Sequence, residues 1–311
     1  MTFSIVAVDR EKKETGFAIA SCCWDAGQVC AARATVGAIA SQAQGNLAFL
    51  SQFFERLGEG EAPDGILDGF QSADPDIEKR QIGMITGAGM GLSFTGAQCA
   101  SWAGHRVGRD FACQGNILVG QEVIDSMAEV FESTAGRLHE RLLAALVAGD
   151  EAGGDRRGKQ SARLLVAREG AGRLASNTFL DIRIEDHDEP VREIARILGV
   201  AGALMTILGL LGEASEVEGE AKEAALDRLR SYLDDKRQPR YLDWWESLAS
   251  AYEEAGHIEK SVEAYRPWPS TRAWRPFFER APNEAISPWG SLRGSSPRLL
   301  DRVVEPGRLV P

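Results

Sequence analysis

Residues 1–9 read MTFSIVAVD. Residues 2–9 alternate loosely and are rich in Val, Ile and Phe, which predicts a β-strand. Thr2 is small, and cytosolic methionine aminopeptidase removes Met1 when the next side chain is small. Thr2 would then carry a hydroxyl nucleophile and a free α-amine on one residue. The amine's ordinary pKa, about 7.7–8.0, suits it to act as a base near neutral pH. The plainer alternative is that Thr2 merely begins the strand.

Working outward, TGFAIAS (15–21) follows a charged turn and completes a β-hairpin, and VGAIASQA (36–43) is read as a third strand. GNLAFLSQFFERLGEG (45–60) is helical, with Leu47, Leu50, Phe54 and Leu57 at spacings of three and four. A second short helix and a loop follow. IGMITGAGMGLSFTG (82–96) predicts two strands and a Gly-rich turn. Its GAGMG part lacks the Gly-Lys-Ser/Thr ending and the helix of a phosphate loop, so it reads as a hairpin turn. EVIDSMAEVFES and RLHERLLAALVAGDEAG predict two amphipathic helices, and SARLLVARE and FLDIRIED two further strands. Runs of strands set apart from runs of helices favour an α+β fold over parallel βαβ units.

The chain has 311 residues and a net charge of −11. That balance attracts neither phosphate backbones nor anionic lipid, so no nucleic-acid and no membrane partner is expected. Five cysteines, with no CxxC pair, form neither a disulfide framework nor a zinc site. No cofactor and no metal is implied. A reducing compartment and an N-terminus without a signal peptide point to the cytoplasm. Cys22 and Cys23 are expected to pack at the end of a core strand. The longest apolar run, ILGVAGALMTILGLLG (197–212), falls short of the roughly 18 residues that span a bilayer and reads as a buried or interface helix.

After Pro190 the pattern is almost wholly helical to residue 265. WESLASAYEEAGHIEKSVEAY (245–265) fits a tetratricopeptide helix–turn–helix, with Trp245, Leu248, Ala249 and Tyr252 on one helix and Gly256 at the turn. One repeat cannot bury its own face. A domain over 1–195, a helical module over 196–270 and an irregular Pro/Trp/Arg-rich tail over 271–311 are expected.

MTFSIVA, VGAIASQAQGN, TGAQCASWAGHRVG, CQGNILVG, AGGDRRGKQSA and LDIRIEDHDEPV occur in that order. Together they closely resemble the family called domain of unknown function 1028, over about residues 2–200. The resemblance implies the N-terminal-nucleophile (Ntn) hydrolase superfamily and its four-layer αββα sandwich, here with an all-helical C-terminal module. It implies Thr2 as nucleophile. The proteasome-type layout further suggests Gly45, in AQGN, as an oxyanion N–H. Gln114 to Asn116 would lie in the loop opening the second helix pair, and Asp155 would orient the nucleophile. That layout has a Lys after the second strand. This chain has none between Lys13 and Lys79, and Arg33 stands near the place.

Arg156, Arg157 and Lys159 crowd one Gly-rich loop. They form either a clamp for a substrate carboxylate or phosphate, or a solvated loop. His105 is an acid/base or carboxylate-binding candidate, with a structural role as the alternative. His187, among acids, is read as part of a loop capping the next helix, and His139 and His257 as helix-surface residues. The function expected is an amidohydrolase acting on a small amide or peptide-like substrate. The alternative is a catalytically silent binding or assembly protein working through its helical module. A homo-oligomer is expected, and the module could dock a protein partner.

Overall fold

The computed structural model describes residues 2–172, 176–234 and 241–265. They divide into two compact units meeting between Gly199 and Val200. The expected tail over 271–311, and residues 266–270 of the expected module, lie outside the described residues.

The first unit is mixed α and β, with two antiparallel sheets. Its strands are β1 (Thr2–Asp9), β2 (Glu14–Ser21), β3 (Cys30–Arg33), β4 (Gly37–Ala43), β5 (Arg80–Thr86), β6 (Gly91–Thr95), β7 (Trp102–Gly108), β8 (Phe111–Leu118), β9 (Ser161–Arg168) and β10 (Thr178–Ile184). The helices are α1 (Ala48–Gly58), α2 (Pro63–Ala73), α3 (Glu122–Ser133) and α4 (Leu138–Glu151), and α5 (Pro190–Ser215) runs from this unit into the second. One sheet has the order β10-β9-β2-β1-β8-β7 and the other β3-β4-β5-β6.

The period of two in β1 explains the packing. Phe3, Ile5 and Ala7 face one way and join Met127, Leu142 and Leu146 of α3 and α4. Val6 and Val8 face the other way. They meet Phe17 and Ile19 of β2, Ala38 and Ala40 of β4, and Ile85 of β5. The far face of the second sheet, with Ile39, Ile82 and Met84, covers Phe49, Phe53, Ile66 and Phe70 of α1 and α2. β1 is therefore buried on both faces, which is why its alternation in sequence is loose. Each fully buried Phe or Ile contributes roughly 1.5–3 kcal/mol.

Three expectations need correction. Gln114 to Asn116 do not sit in a loop: they lie inside β8, and α3 begins only at Glu122. Cys22 is half-buried and Cys23 exposed, so neither packs in the core; β2 ends at Ser21. The apolar run 197–212 belongs to the 26-residue α5, whose most apolar 18 residues have a mean hydropathy of 2.1 and are only 17% buried. By length and composition α5 could cross a membrane, and of the two alternatives expected, a buried or an interface helix, the buried one does not hold.

In the second unit, the remainder of α5 is followed by α6 (Gly219–Leu233), α7 (Leu242–Glu254) and α8 (Ile258–Tyr265). Ala203 and Ile207 of α5 pack with Leu226 and Leu229 of α6 and with Trp245, Leu248 and Tyr252 of α7. Gly256, at φ +83°, makes the turn between α7 and α8.

Candidate functional site

The layer between the two sheets changes character along its length. At one end it holds Val6, Val8, Phe17, Ala38 and Ile85. At the other, the same inward positions carry Thr2 and Ser4 on β1, Gln114 and Asn116 on β8, Gln42 on β4 and Gln81 on β5, all buried. Antiparallel pairing aligns them: Thr2 stands opposite Asn116, Ser4 opposite Gln114, and Gln42 opposite Gln81.

Buried amides must find partners or cost several kcal/mol. These satisfy one another. Ser4 Oγ donates to Gln42 Oε1 at 2.7 Å and accepts from Gln114 Nε2 at 2.6 Å. Gln42 Nε2 reaches Gln81 Oε1 at 2.8 Å and the Thr2 and Gln114 carbonyl oxygens at 3.3 Å. Asn116 Nδ2 donates to Gln81 Oε1 at 2.9 Å. Gln81 Nε2 reaches Gly115 O at 2.7 Å, Thr95 Oγ1 at 3.0 Å and Gly104 O at 3.1 Å. The Thr95 hydroxyl also hydrogen-bonds His105 Nδ1 at 2.8 Å. Partial desolvation of its ring holds the His105 pKa below its ordinary value.

Thr2 Oγ1 lies 3.3 Å from Ser21 Oγ, at the end of β2. The Cys23 thiol donates to the same Ser21 oxygen at 3.2 Å. Asp155 fixes this exit from β2. Its Oδ2 accepts the Cys22 N–H at 2.8 Å, while its Oδ1 accepts the Arg157 N–H at 2.8 Å. The tight approach to Asp155 passes through Gly153 and Gly154, at φ +108° and +50°. Ser161 Oγ pins the next residues, donating to Cys23 O at 2.5 Å and accepting the Ala26 N–H at 3.0 Å.

Two strained residues directly follow the amides of the seam. Ala43, just after Gln42, has φ +66°. Ile117, just after Asn116, has φ +53°, an outlier for a β-branched residue. Ile117 is the extra residue of a bulge opposite Trp102 and Ala103. Such strain persists only where surrounding structure enforces it.

Of the residues expected from sequence, Thr2, Gln114 and Asn116 come together directly, and Asp155 joins them through Cys22. His105 joins through Thr95, on the exposed edge strand β7. Gly45 lies in an exposed turn three residues beyond Gln42. That turn is held by Ser41 Oγ, which accepts the Asn46 N–H at 3.0 Å, and by Asn46 Nδ2, which donates to Asp74 at 3.1 Å. Arg156 is exposed, and its N–H donates to Ile117 O at 3.3 Å. Arg157 Nη2 lies 3.3 Å from Asp155.

Two residues fall away. Arg33 is at the wrong end: its carbonyl accepts from Thr15 Oγ1 at 2.8 Å, and Thr15 pairs with Val8. Val8 is about 20 Å along β1 from Thr2. Lys159 is a clasp, its Nζ 2.7 Å from Asp150 and 2.8 Å from Glu189. Burial would lower its pKa, but these two hydrogen bonds prevail and raise it. Sequence reasoning missed Ser4, Gln42 and Gln81. The available signal was a polar side chain on the inward phase of an otherwise apolar strand. Among the described residues there is no cluster of three or more metal-ligating side chains.

A family model described as "Family of unknown function (DUF1028)" matches residues 2–194. The crystal structure of a Silicibacter pomeroyi protein described under the same family is 28% identical, with a TM-score of 0.59. The alignment covers 64% of this chain and 85% of that one. No curated protein matches. The chain belongs to the family of unknown function DUF1028.

Proposed function

We propose that this protein is an N-terminal-nucleophile hydrolase that cleaves a small amide or peptide-like substrate. The observation carrying this reading is the position of Thr2. Its hydroxyl sits beside Ser21, at the polar end of a seam that is otherwise apolar. The packing order of helices, sheet, sheet and helices supports the four-layer αββα sandwich of that superfamily. The α7–α8 hairpin supports a tetratricopeptide-like extension.

In this mechanism the residue preceding Thr2 is removed first. The freed α-amine takes the Thr2 hydroxyl proton, directly or through a water. The oxygen attacks the substrate carbonyl, and a backbone N–H, that of Gly45 in this proposal, holds the oxyanion. The amide C–N bond breaks as the proton passes to the leaving nitrogen. Water then hydrolyses the resulting ester, releasing the acid and restoring Thr2. Asn116 and Gln42 position β1, Asp155 positions Ser21, and Arg156 and Arg157 offer charge to an acidic substrate group. No cofactor is required, and a cytoplasmic setting fits the methionine removal invoked.

The second reading is a binding protein with a silent site. It draws on the mutual saturation of the amides, which leaves few donors for a ligand. Intact mass of the untagged protein, then treatment with a peptide epoxyketone that bonds both Oγ and α-amine, separates the two. The hydrolase reading expects one adduct, located on Thr2 and absent from Thr2→Ala. Retained Met1, or an adduct unaffected by Thr2→Ala, rules it out.

A further inference from the structure

Within the second unit, α5 is packed on one side only. Ala203, Ile207 and Ala214 are buried with α6 and α7. Across the helix, Leu204, Met205 and Leu208 are 37%, 55% and 41% exposed. Gly202 and Gly209 are exposed beside them, and a Cβ at either would meet nothing within 4 Å. No charged residue occurs between Arg196 and Glu213. An apolar helix face this continuous marks a surface that something covers.

Charge selects the occupant. Residues 200–265 carry fourteen acidic and seven basic side chains. Residues 266–311 carry eight arginines, no lysine and four acids, with Trp268, Trp274, Phe277, Phe278 and Trp289 among them. A second copy would bring the same net negative charge up to this one. An anionic bilayer would be repelled in the same way, and the opposite side of α5 is already committed to the Trp245 cluster. The 46 residues that follow Tyr265 are tethered to the same unit and can extend up to about 150 Å, ample to reach the Leu204–Leu208 turn. Arg and Trp are also the residues that anchor recognition surfaces most strongly.

We propose that residues 266–311 dock, within one chain, on the α5 face formed by Leu204, Met205 and Leu208. The aromatic side chains would cover the apolar face and the arginines would meet acids of residues 213–265. The test uses the full-length protein with the photo-crosslinking residue p-benzoylphenylalanine at Met205 or, separately, at Leu208. Both positions are exposed, and circular dichroism checks the fold. After irradiation, crosslinked peptides are mapped by mass spectrometry. The expected result is a crosslink of monomer mass joining α5 to a peptide from 266–311, its yield falling several-fold in 1 M NaCl. Crosslinks to a second copy, transfer to phosphatidylglycerol vesicles when these are present, or no crosslink to 266–311 would overturn the proposal.

Discussion

Gln114 occupies the space where residue 83 would carry a Cβ. A Cβ at Gly83 would stand 1.8 Å from Gln114 Oε1 and 2.2 Å from its amide carbon. The second sheet thus leaves a gap through which the first inserts an amide. Gly83→Ala must push Gln114 off Ser4, so it should destabilise the protein by about 1–3 kcal/mol. Urea denaturation of Gly83→Ala, Gln114→Ala and the double variant tests this. The effect of Gly83→Ala should shrink clearly in the Gln114→Ala background; equal effects in both would mean the two do not share that space.

Gln81 serves more partners than any other amide in the seam. Gln81→Leu takes away the acceptor of Asn116 Nδ2, one of the three acceptors of Gln42 Nε2, and the side-chain donor to the Gly115 and Gly104 carbonyls. Each buried group left without a partner costs about 1–3 kcal/mol. Gln81→Leu should therefore lower stability more than Gln42→Leu, and probe adduct formation at Thr2 should slow in both. Near-wild-type denaturation midpoints would contradict the account of the network.

Two groups contribute to separate acid limbs. The folded pKa of His105 lies below its ordinary value of about 6.5 because burial disfavours the imidazolium. The unfolded chain takes up that proton first, so stability present above pH 6.5 is lost as pH falls through the folded pKa. Burial pushes the Asp74 carboxyl up, but hydrogen bonds from Arg80, Asn46 and the Asp76 N–H outweigh it and hold it below the usual range. Its contribution is present above about pH 3.9 and is lost on further acidification. Stability measured from pH 7 to 3 should lose part of its upper acid slope in His105→Gln, with His139 supplying the rest, and part of its lower one in Asp74→Asn. Slopes unchanged by either substitution would refute the assignments.

The thiols should rank by burial. Cys23 is exposed, whereas Cys30 and Cys113 are buried and burial drives their pKa values up. N-ethylmaleimide should alkylate Cys23 first and Cys30 and Cys113 last, read by peptide mapping over time. Because Cys23 bonds to the Ser21 hydroxyl that faces Thr2, a probe bound at Thr2 should slow Cys23 labelling several-fold. Labelling indifferent to the probe would place the two groups in separate environments.

The long elements were legible in the sequence because hydropathy carries their period. Leu47, Leu50, Phe54 and Leu57 mark α1 as a helix, although its buried face is Phe49, Phe53 and Phe54 and Leu47 is exposed, and Ile5, Val6, Phe17 and Ile19 mark strands. Short β3 gave no such signal, with one buried residue, Cys30, in four. Gln42, Gln81, Gln114 and Asn116 read as interruptions, since hydropathy cannot tell an amide satisfied by another amide from one left in solvent. The proteasome-type layout puts Gln114 and Asn116 in a loop, whereas their inward phase is that of β8. Arg33 looked adjacent to the site by order alone; the hairpin that brings it back across β4 delivers it to the far end of the layer.

The amide seam also acts as an alignment gauge for the sheets. If β1 slipped by one residue, Phe3 and Ile5 would face Gln42 and Gln114, and Thr2 and Ser4 would enter the apolar seam against α3 and α4. A two-residue slip would set Val6 among the glutamines. Either error strands several buried amides at once, and only one registration lets them all close. A chain that has reached the geometry placing Thr2 beside Ser21 has therefore also passed a check on how its strands were paired.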